Sequence, residues 1–278
     1  MWYPASVEKT SEVKATLGDY VHAKVTDSSY TKINDIFNSI ENNKIRGRLS
    51  PSKTTADSLY QTIVGERMYA YPMPDISEGK FPFVIHSLGR NSSQLESFVL
   101  WEYLASHGYV VVAIPQLGES PVKFTSLAWN RKDLEVQKRD LEFTINTLKA
   151  RSFIDSTNIA FIGYSSGGVI GNWLAKERND IDALITLDGS NNSEDGVIVL
   201  QEIGVSPKEI NIPVLNLYNA NNHLLNHTYM DGMNPQVRYD IKMYQTTHFD
   251  FNQWPLYYYL TGIPDVRAVQ WRTPEDAA

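Results

Sequence analysis

Short apolar runs alternate with longer amphipathic segments between Lys80 and Leu217. This alternation is typical of βαβ units, in which helices join parallel strands and cover both faces of the sheet. The near-continuous apolar character of Tyr109–Pro115 fits a strand that is buried on both sides. We therefore predict an α/β fold with a mostly parallel central sheet flanked by helices. The predicted strands are Phe83–His86, Tyr109–Pro115, Ile159–Gly163, Ile181–Ser190, Ile212–Ala220 and the first part of Val237–Phe251.

Two amphipathic segments are predicted as helices that connect these strands. The first begins at an S-x-x-E capping box formed by Ser93 and Glu96, and Gly108 is placed to end it. The second runs from about Lys132 to Ala150, although its apolar residues are only approximately periodic. At 278 residues, the chain is long enough to bury one large core.

The region from about Tyr20 to Ile63 does not follow the alternation. It contains two helical patterns, and it is too small and too polar to hold a core of its own. We interpret it as an insertion on the edge or carboxyl rim of the sheet, and a possible cap, within one domain spanning residues 1–278. The opening Met1–Ser6 resembles the end of a strand and lacks the features of a signal peptide. We expect a strand segment to precede it, and a signal segment as well if the protein is exported.

Composition narrows the function classes. The chain has 25 basic and 32 acidic residues, a net charge of −7, and its pI is about 5.4. A nucleic-acid or anionic-membrane binder would need a basic face, so neither partner is predicted. No apolar run approaches the roughly 18–20 residues of a membrane helix. The chain has no cysteine, which excludes disulfides, thiolate metal sites and a cysteine nucleophile, and leaves the compartment and the oligomeric state open.

Ser165 is the candidate nucleophile. It lies in Gly163-Tyr164-Ser165-Ser166-Gly167, a G-x-S-x-G sequence between a predicted strand and a predicted helix. In that context the motif places the serine Oγ on a sharp turn above the carboxyl edge of the sheet. The alternative is a tight turn that merely needs small residues. Ser166 lacks a glycine two positions before it and is the weaker candidate.

A serine needs a base, and histidine is the usual one. His248 follows the last predicted strand and is the candidate base; His227 and His223 fall earlier, and His86 at a strand end is expected to support a loop instead.

The imidazole in turn needs a carboxylate. The loop Asn216–His227 after the preceding strand contains no acid. We therefore predict Asp188, at the tip of the strand before that one, with Asp231 or a purely structural Asp188 as alternatives.

Backbone N–H groups would stabilise the negative charge that develops on a carbonyl oxygen under attack. The residue after the nucleophile, Ser166, is expected to supply one donor. The second is expected from Leu88, or its neighbour Gly89, in the loop after the first strand. The alternative is that this segment is only a polar connection.

No cofactor or metal is predicted. His223 and His227 are four residues apart and could share a helix face, but no third ligand is evident. No G-x-G-x-x-G or phosphate-loop sequence is present.

Several of these segments together resemble the platelet-activating-factor acetylhydrolase-like branch of the α/β hydrolases, which is related to the dienelactone hydrolases. Two segments depart from the patterns of that branch. Its S-H-G-L-G segment reads IHSLG here, with histidine and serine in a different order, and its L-D-x-W segment reads LDGS, without the aromatic residue after the aspartate. The family's phospholipid substrates are therefore not carried over. The matching segments are MWYPAS, KFPFVIHSLG, IGYSSGG, LDGS and THFDF.

The resemblance implies an α/β-hydrolase fold and a serine esterase that needs no cofactor. It places the nucleophile at Ser165, the acid at Asp188, the base at His248 and an oxyanion donor at Leu88. The expected substrate is a small carboxylic ester with a short acyl group. An amide, lactone or polyester hydrolase on the same residues is the alternative, as is a catalytically silent module that only binds its ligand.

Overall fold

The structure is a computed structural model that describes residues 1–6, 13–22, 24–25, 27–49, 53–90, 92, 95–114, 131–222 and 224–262. None of the helices in these ranges is long and apolar enough to cross a membrane. The strands are β1 (Phe81–Ser87), β2 (Val110–Ile114), β3 (Ile154–Tyr164), β4 (Ala183–Leu187), β5 (Val214–Asn219) and β6 (Arg238–Met243). The helices are α1 (Leu17–Val21), α2 (Thr31–Leu49), α3 (Lys53–Val64), α4 (Phe98–Ser106), α5 (Arg131–Lys149), α6 (Gly167–Glu177), α7 (Glu194–Glu202), α8 (Thr228–Asp231) and α9 (Trp254–Thr261).

The six strands form one sheet in the order β2-β1-β3-β4-β5-β6, and each neighbouring pair is parallel. Because the strands are parallel, their carboxyl ends lie along one edge. The loops that follow β1, β3, β4 and β6 therefore meet there, and these loops carry the predicted site residues. The predicted parallel sheet flanked by helices is confirmed.

Side chains alternate between the two faces of the sheet, and each face has its own core. Phe83, Ile85 and Phe161 point to a face that is covered by α5, α6, α7 and α8. Val84 and Ile162 point to the opposite face, which is covered by α1 to α4 and α9. Burial on both faces explains why the central strands are apolar at successive positions.

The region that sequence analysis interprets as an insertion contains α2 and α3, and its core residues join the second face of the sheet. Ile45 and Ile63 are fully buried in the same cluster as Trp101 of α4 and Tyr257 of α9. Tyr60 anchors the region internally, since its hydroxyl group hydrogen-bonds the side chain of Asn42 and lies 3.1 Å from Nε2 of His22. Helices α2 and α3 thus share one core cluster with α4, α9 and this face of the sheet.

The structure differs from the sequence-based prediction at the start of the first connecting helix. Helix α4 begins at Phe98, with Ser97 at its N-cap, rather than at the expected capping box. Glu96 does not cap this helix, because its carboxylate accepts the N–H of Gly89 instead. Ser93 lies outside the described residues.

The opening segment Met1–Ser6 forms single bridges, and the structure assigns it no strand. Trp2 pairs antiparallel with Val111, with N···O distances of 2.9 and 2.8 Å, and Ala5 pairs with Ile76. The segment therefore lies against β2, at the border of the sheet.

His86 on β1 is buried, and it contacts helix α4 instead of supporting a loop as expected. Its Nδ1 accepts the indole N–H of Trp101 at 2.7 Å, and its side chain is fully buried. Burial lowers the pKa of His86 from 6.5 to about 3, so the ring is neutral at neutral pH.

This burial predicts a measurable effect of pH on stability. Below pH 6.5 the unfolded chain takes up a proton at His86, whereas the folded chain does not until about pH 3. The free energy of unfolding should therefore fall with decreasing pH by up to about 1.4 kcal/mol per pH unit in that window. His86→Asn keeps an acceptor for Trp101 but does not titrate. Urea unfolding at several pH values should show a shallower decline in this variant; equal slopes would contradict the prediction.

Candidate active site

The connection from β3 to α6 is a sharp turn with Ser165 at its apex. Ser165 has a φ of 52°, in the left-handed region that non-glycine residues rarely adopt. A Cβ on Gly163 would lie 2.3 Å from the carbonyl oxygen of Gly167, and one on Gly167 would lie 2.2 Å from that of Ser87. Both glycines are therefore required by backbone contact. Such local strain persists where the surrounding structure imposes it, which is common at functional sites.

The loop after β1 lies directly beside this turn. A Cβ placed on Gly89 would be 3.2 Å from Cβ of Ser165 and 3.0 Å from the ring of Tyr164. The residue before it, Leu88, is fully buried. The structure thus brings the predicted oxyanion loop and the predicted nucleophile into contact.

Asp188 and His248 are hydrogen-bonded to each other. Nδ1 of His248 lies 2.6 Å from Oδ2 of Asp188, and the second carboxylate oxygen accepts the N–H of Asn219 at 2.9 Å. The aspartate side chain is only 3% exposed, whereas that of the histidine is 30% exposed. A buried carboxylate on Nδ1 favours the tautomer that carries its proton there and leaves Nε2 as the basic nitrogen. Asp188 also has a positive φ, 42°.

Tyr164 connects the histidine loop to the turn that carries Ser165. Its ring stacks on the imidazole of His248, with ring centroids 4.8 Å apart and an interplanar angle of 22°. Its hydroxyl donates to the carbonyl oxygen of His248 at 2.9 Å and accepts from the side-chain amide of Asn252 at 3.0 Å. Because Tyr164 immediately precedes Ser165, this contact holds the loop of His248 beside the turn of Ser165. Sequence analysis did not identify this role; the aromatic residue within the G-x-S-x-G motif was the available signal.

The two predicted oxyanion donors occupy different settings. Ser166 is the N-cap of α6, where the first amides of a helix have no intrahelical acceptor. Of the two alternatives in the loop after β1, Gly89 has its N–H engaged by Oε2 of Glu96 at 2.7 Å. That contact favours Leu88 over Gly89 as the second donor.

A polar network lies beneath the loop that carries Asp188. Asn216 on β5 accepts from the hydroxyl of Thr186 on β4 and from the amide of Asn192, each at 2.7 Å, and donates to Asp240 on β6 at 2.8 Å. Thr186, Asn192 and Asn216 are fully or almost fully buried. The network ties three strands to the loop after β4, and sequence analysis did not anticipate it.

The remaining candidates are placed elsewhere. Asp231, the alternative acid, is exposed and pairs with Arg238 at 3.2 Å. His227 packs edge-on against the ring of Tyr218, and His223 lies outside the described residues. Among the described residues, no cluster of histidine and acidic side chains could hold a metal ion.

Comparison with known proteins gives a partial family match and a clear structural likeness. Residues 140–248 match the family described as BAAT / acyl-CoA thioester hydrolase, C-terminal. No curated protein matches the sequence. The structure is similar to that of a ferulic acid esterase from Streptomyces cinnamoneus, with a TM-score of 0.60 and 17% identity over 92% of this chain and 68% of that one. It is also similar to the protein TT1662 from Thermus thermophilus, with a TM-score of 0.50 and 14% identity over 66% of this chain and 91% of that one.

Proposed function

The chain has the α/β-hydrolase fold, and on that premise we propose that it is a serine hydrolase that cleaves carboxylic esters through an acyl-enzyme. The observation that carries the proposal is the contact between Asp188 and His248 on the loops next to the strained turn of Ser165. A buried aspartate bonded to a partly exposed histidine, on loops beside a serine on such a turn, supports this proposal, because these are the groups that activate a serine hydroxyl in serine hydrolases.

In the proposed reaction, Nε2 of His248 removes the proton from Oγ of Ser165 as the oxygen attacks the ester carbonyl carbon. The tetrahedral intermediate then collapses, the bond to the alcohol oxygen breaks, and the imidazolium returns its proton to the departing alcohol. A water molecule, deprotonated by the same histidine, then attacks the acyl-enzyme. The second tetrahedral intermediate collapses, the bond between the acyl carbon and Oγ of Ser165 breaks, the imidazolium returns its proton to Oγ, and the carboxylic acid leaves. Asp188 holds the imidazole in the required tautomer and stabilises its charged form.

The carbonyl oxygen becomes negatively charged during each attack. We assign its stabilisation to the N–H groups of Ser166, at the N-terminus of α6, and of Leu88, in the loop after β1. Loss of one such donor typically lowers kcat by about 10²–10³-fold.

The resemblance to the acetylhydrolase-like branch supports a short acyl group. The partial match to an acyl-CoA thioester hydrolase family supports a second candidate, a thioester substrate. The same residues would serve both substrates, because only the leaving group differs, a thiol instead of an alcohol. An amide, lactone or polyester substrate would use the same residues.

Hydrolysis of p-nitrophenyl acetate, butyrate and octanoate, compared with acetyl-CoA and octanoyl-CoA, tests the proposal. We expect kcat/KM to be at least about tenfold higher for acetate than for octanoate, since each methylene that does not fit a pocket costs roughly 1 kcal/mol or more. Faster hydrolysis of the CoA thioesters would reassign the substrate to that class. Equal background rates for wild type and Ser165→Ala on all five compounds would instead indicate a binding module.

A further inference from the structure

Glu96 is a buried carboxyl group that has no part in the reaction described above. Glu96 is only 4% exposed, and it lies just before Ser97, the N-cap of α4. One oxygen, Oε2, accepts the backbone N–H of Gly89 at 2.7 Å, and the other, Oε1, accepts the hydroxyl of Ser92. A single side chain thus holds two points of the loop that follows β1.

The backbone of Glu96 makes a second connection. Its carbonyl oxygen accepts the backbone N–H of Gln253 at 2.9 Å, and the side-chain amide of Gln253, in the orientation that satisfies its hydrogen bonds, donates to the carbonyl oxygens of Leu95 and Glu96. Gln253 follows the short helical turn that begins at His248. Glu96 therefore joins the loop that carries Leu88 to the segment that carries the proposed base.

We propose that Glu96 is a positioning residue for the oxyanion hole, which orients the N–H of Leu88 by holding the N–H of Gly89. The inference rests on the proposed function. A buried N–H without an acceptor costs about 1–3 kcal/mol, so the loop would turn to find another acceptor for Gly89 if Glu96 were absent. Leu88 immediately precedes Gly89 in that loop, and its amide would turn as well.

The surroundings of Glu96 indicate which substitution should preserve this role. Burial raises the pKa of Glu96 to about 7, while its hydrogen bonds to Ser92 and Gly89 and the nearby side chains His248 and Lys44 oppose the shift. Near neutral pH much of the population therefore carries a neutral carboxylic acid, with one acceptor and one donor. A glutamine amide offers the same pattern: its oxygen can accept from Gly89, and its nitrogen can donate to the hydroxyl oxygen of Ser92.

Glu102 provides a matched control. It is also a buried carboxyl group, on α4, and it accepts the hydroxyl of Tyr20 and the backbone N–H of Tyr69, the latter at 3.2 Å. Its partners belong to the region before β1 and not to the loop beside Ser165. Removing either carboxyl group takes the acceptor from its donors, a buried one at Gly89 for Glu96 and partly buried ones for Glu102, but only the loss of Glu96 would affect the oxyanion hole.

Steady-state kinetics on p-nitrophenyl acetate, with folding checked by circular dichroism, test the inference. We expect Glu96→Ala to lower kcat about 10²-fold with KM changed less than about threefold, since an oxyanion donor acts mainly in the transition state. Glu96→Gln should retain at least about a third of kcat, and Glu102→Ala should lower Tm but not kcat. If Glu96→Ala does not fold, Glu96→Asp takes its place, with an expected loss of about tenfold in kcat.

Three results would overturn the inference: a wild-type kcat in Glu96→Ala, an equal loss of kcat in Glu102→Ala, or a glutamine variant as impaired as the alanine variant. Amide hydrogen exchange gives a readout besides activity, because exchange at Leu88 and Gly89 should accelerate at least about tenfold in Glu96→Ala and remain slow in Glu96→Gln. Hydrolysis that depends on Ser165 but not on Glu96 would refute this inference alone. Hydrolysis that is absent from the wild type would refute the proposed function.

Discussion

Replacing Ser165 with alanine is expected to lower kcat for p-nitrophenyl acetate by about 10⁴-fold or more. The variant keeps the fold, because a methyl group fits where the hydroxymethyl group was and the positive φ is equally tolerated by either side chain. What it loses is the only group that can form the acyl-enzyme in the proposed mechanism. The measurement is the steady-state rate at saturating ester, corrected for spontaneous hydrolysis.

Ser166→Ala is the control for this prediction, since Ser166 also carries a hydroxyl group in the same turn. Its proposed contribution is a backbone N–H, which alanine retains, and its side chain is 2% exposed. We expect a loss of less than about tenfold, the scale of a local packing change. A larger loss in Ser166→Ala than in Ser165→Ala would exchange the two assignments.

Replacing Asp188 with asparagine is expected to lower kcat by about 10⁴-fold, the scale of the same change in other serine hydrolases. The amide has nearly the shape of the carboxylate and can still accept the N–H of Asn219. It cannot hold a negative charge against the imidazolium, and it permits the tautomer in which Nδ1 of His248 is unprotonated. KM should change far less than kcat, because the aspartate is buried and, in the proposed mechanism, acts through His248 without contacting the ester.

Asp231→Asn tests the competing assignment of the acid. Asp231 pairs with Arg238 on the protein surface, and a surface ion pair of this kind contributes about 0–1 kcal/mol to stability. We expect a kcat close to that of the wild type. A loss in Asp231→Asn with full activity in Asp188→Asn would show that the contact between Asp188 and His248 is only structural.

The fold was largely predictable from the sequence because a buried parallel strand leaves a local signal. Strands β1 to β5 each coincide with an apolar run, whereas the edge strand β6 is mostly exposed and polar, and Gly108 follows the end of α4 as predicted. The start of α4 was wrong because its cause is not local. Glu96 has the spacing of a capping residue, but its carboxylate is used seven residues earlier in the chain, by Gly89.

The site residues also differ in whether their roles leave a local signal in the sequence. The turn of Ser165 can be read from adjacent glycines, because backbone contact at Gly163 and Gly167 excludes any side chain. The choice of Asp188 came from the absence of an acid after β5, and the structure places this residue against His248. The role of Tyr164 was not predicted and that of Glu96 was predicted wrongly, because their partners lie 84 and 7 residues away and depend on how the loops pack.

In the proposed mechanism, Ser165 is a nucleophile because His248, held by Asp188, removes its proton. Reaction of the wild-type protein with a fluorophosphonate, followed by mass spectrometry of the digested chain, tests it without reference to any natural substrate. We predict one adduct per chain, located on Ser165, that forms at least about 10³-fold more slowly in His248→Ala because the serine then lacks a base. An unmodified chain, or an adduct on another serine, would contradict the account.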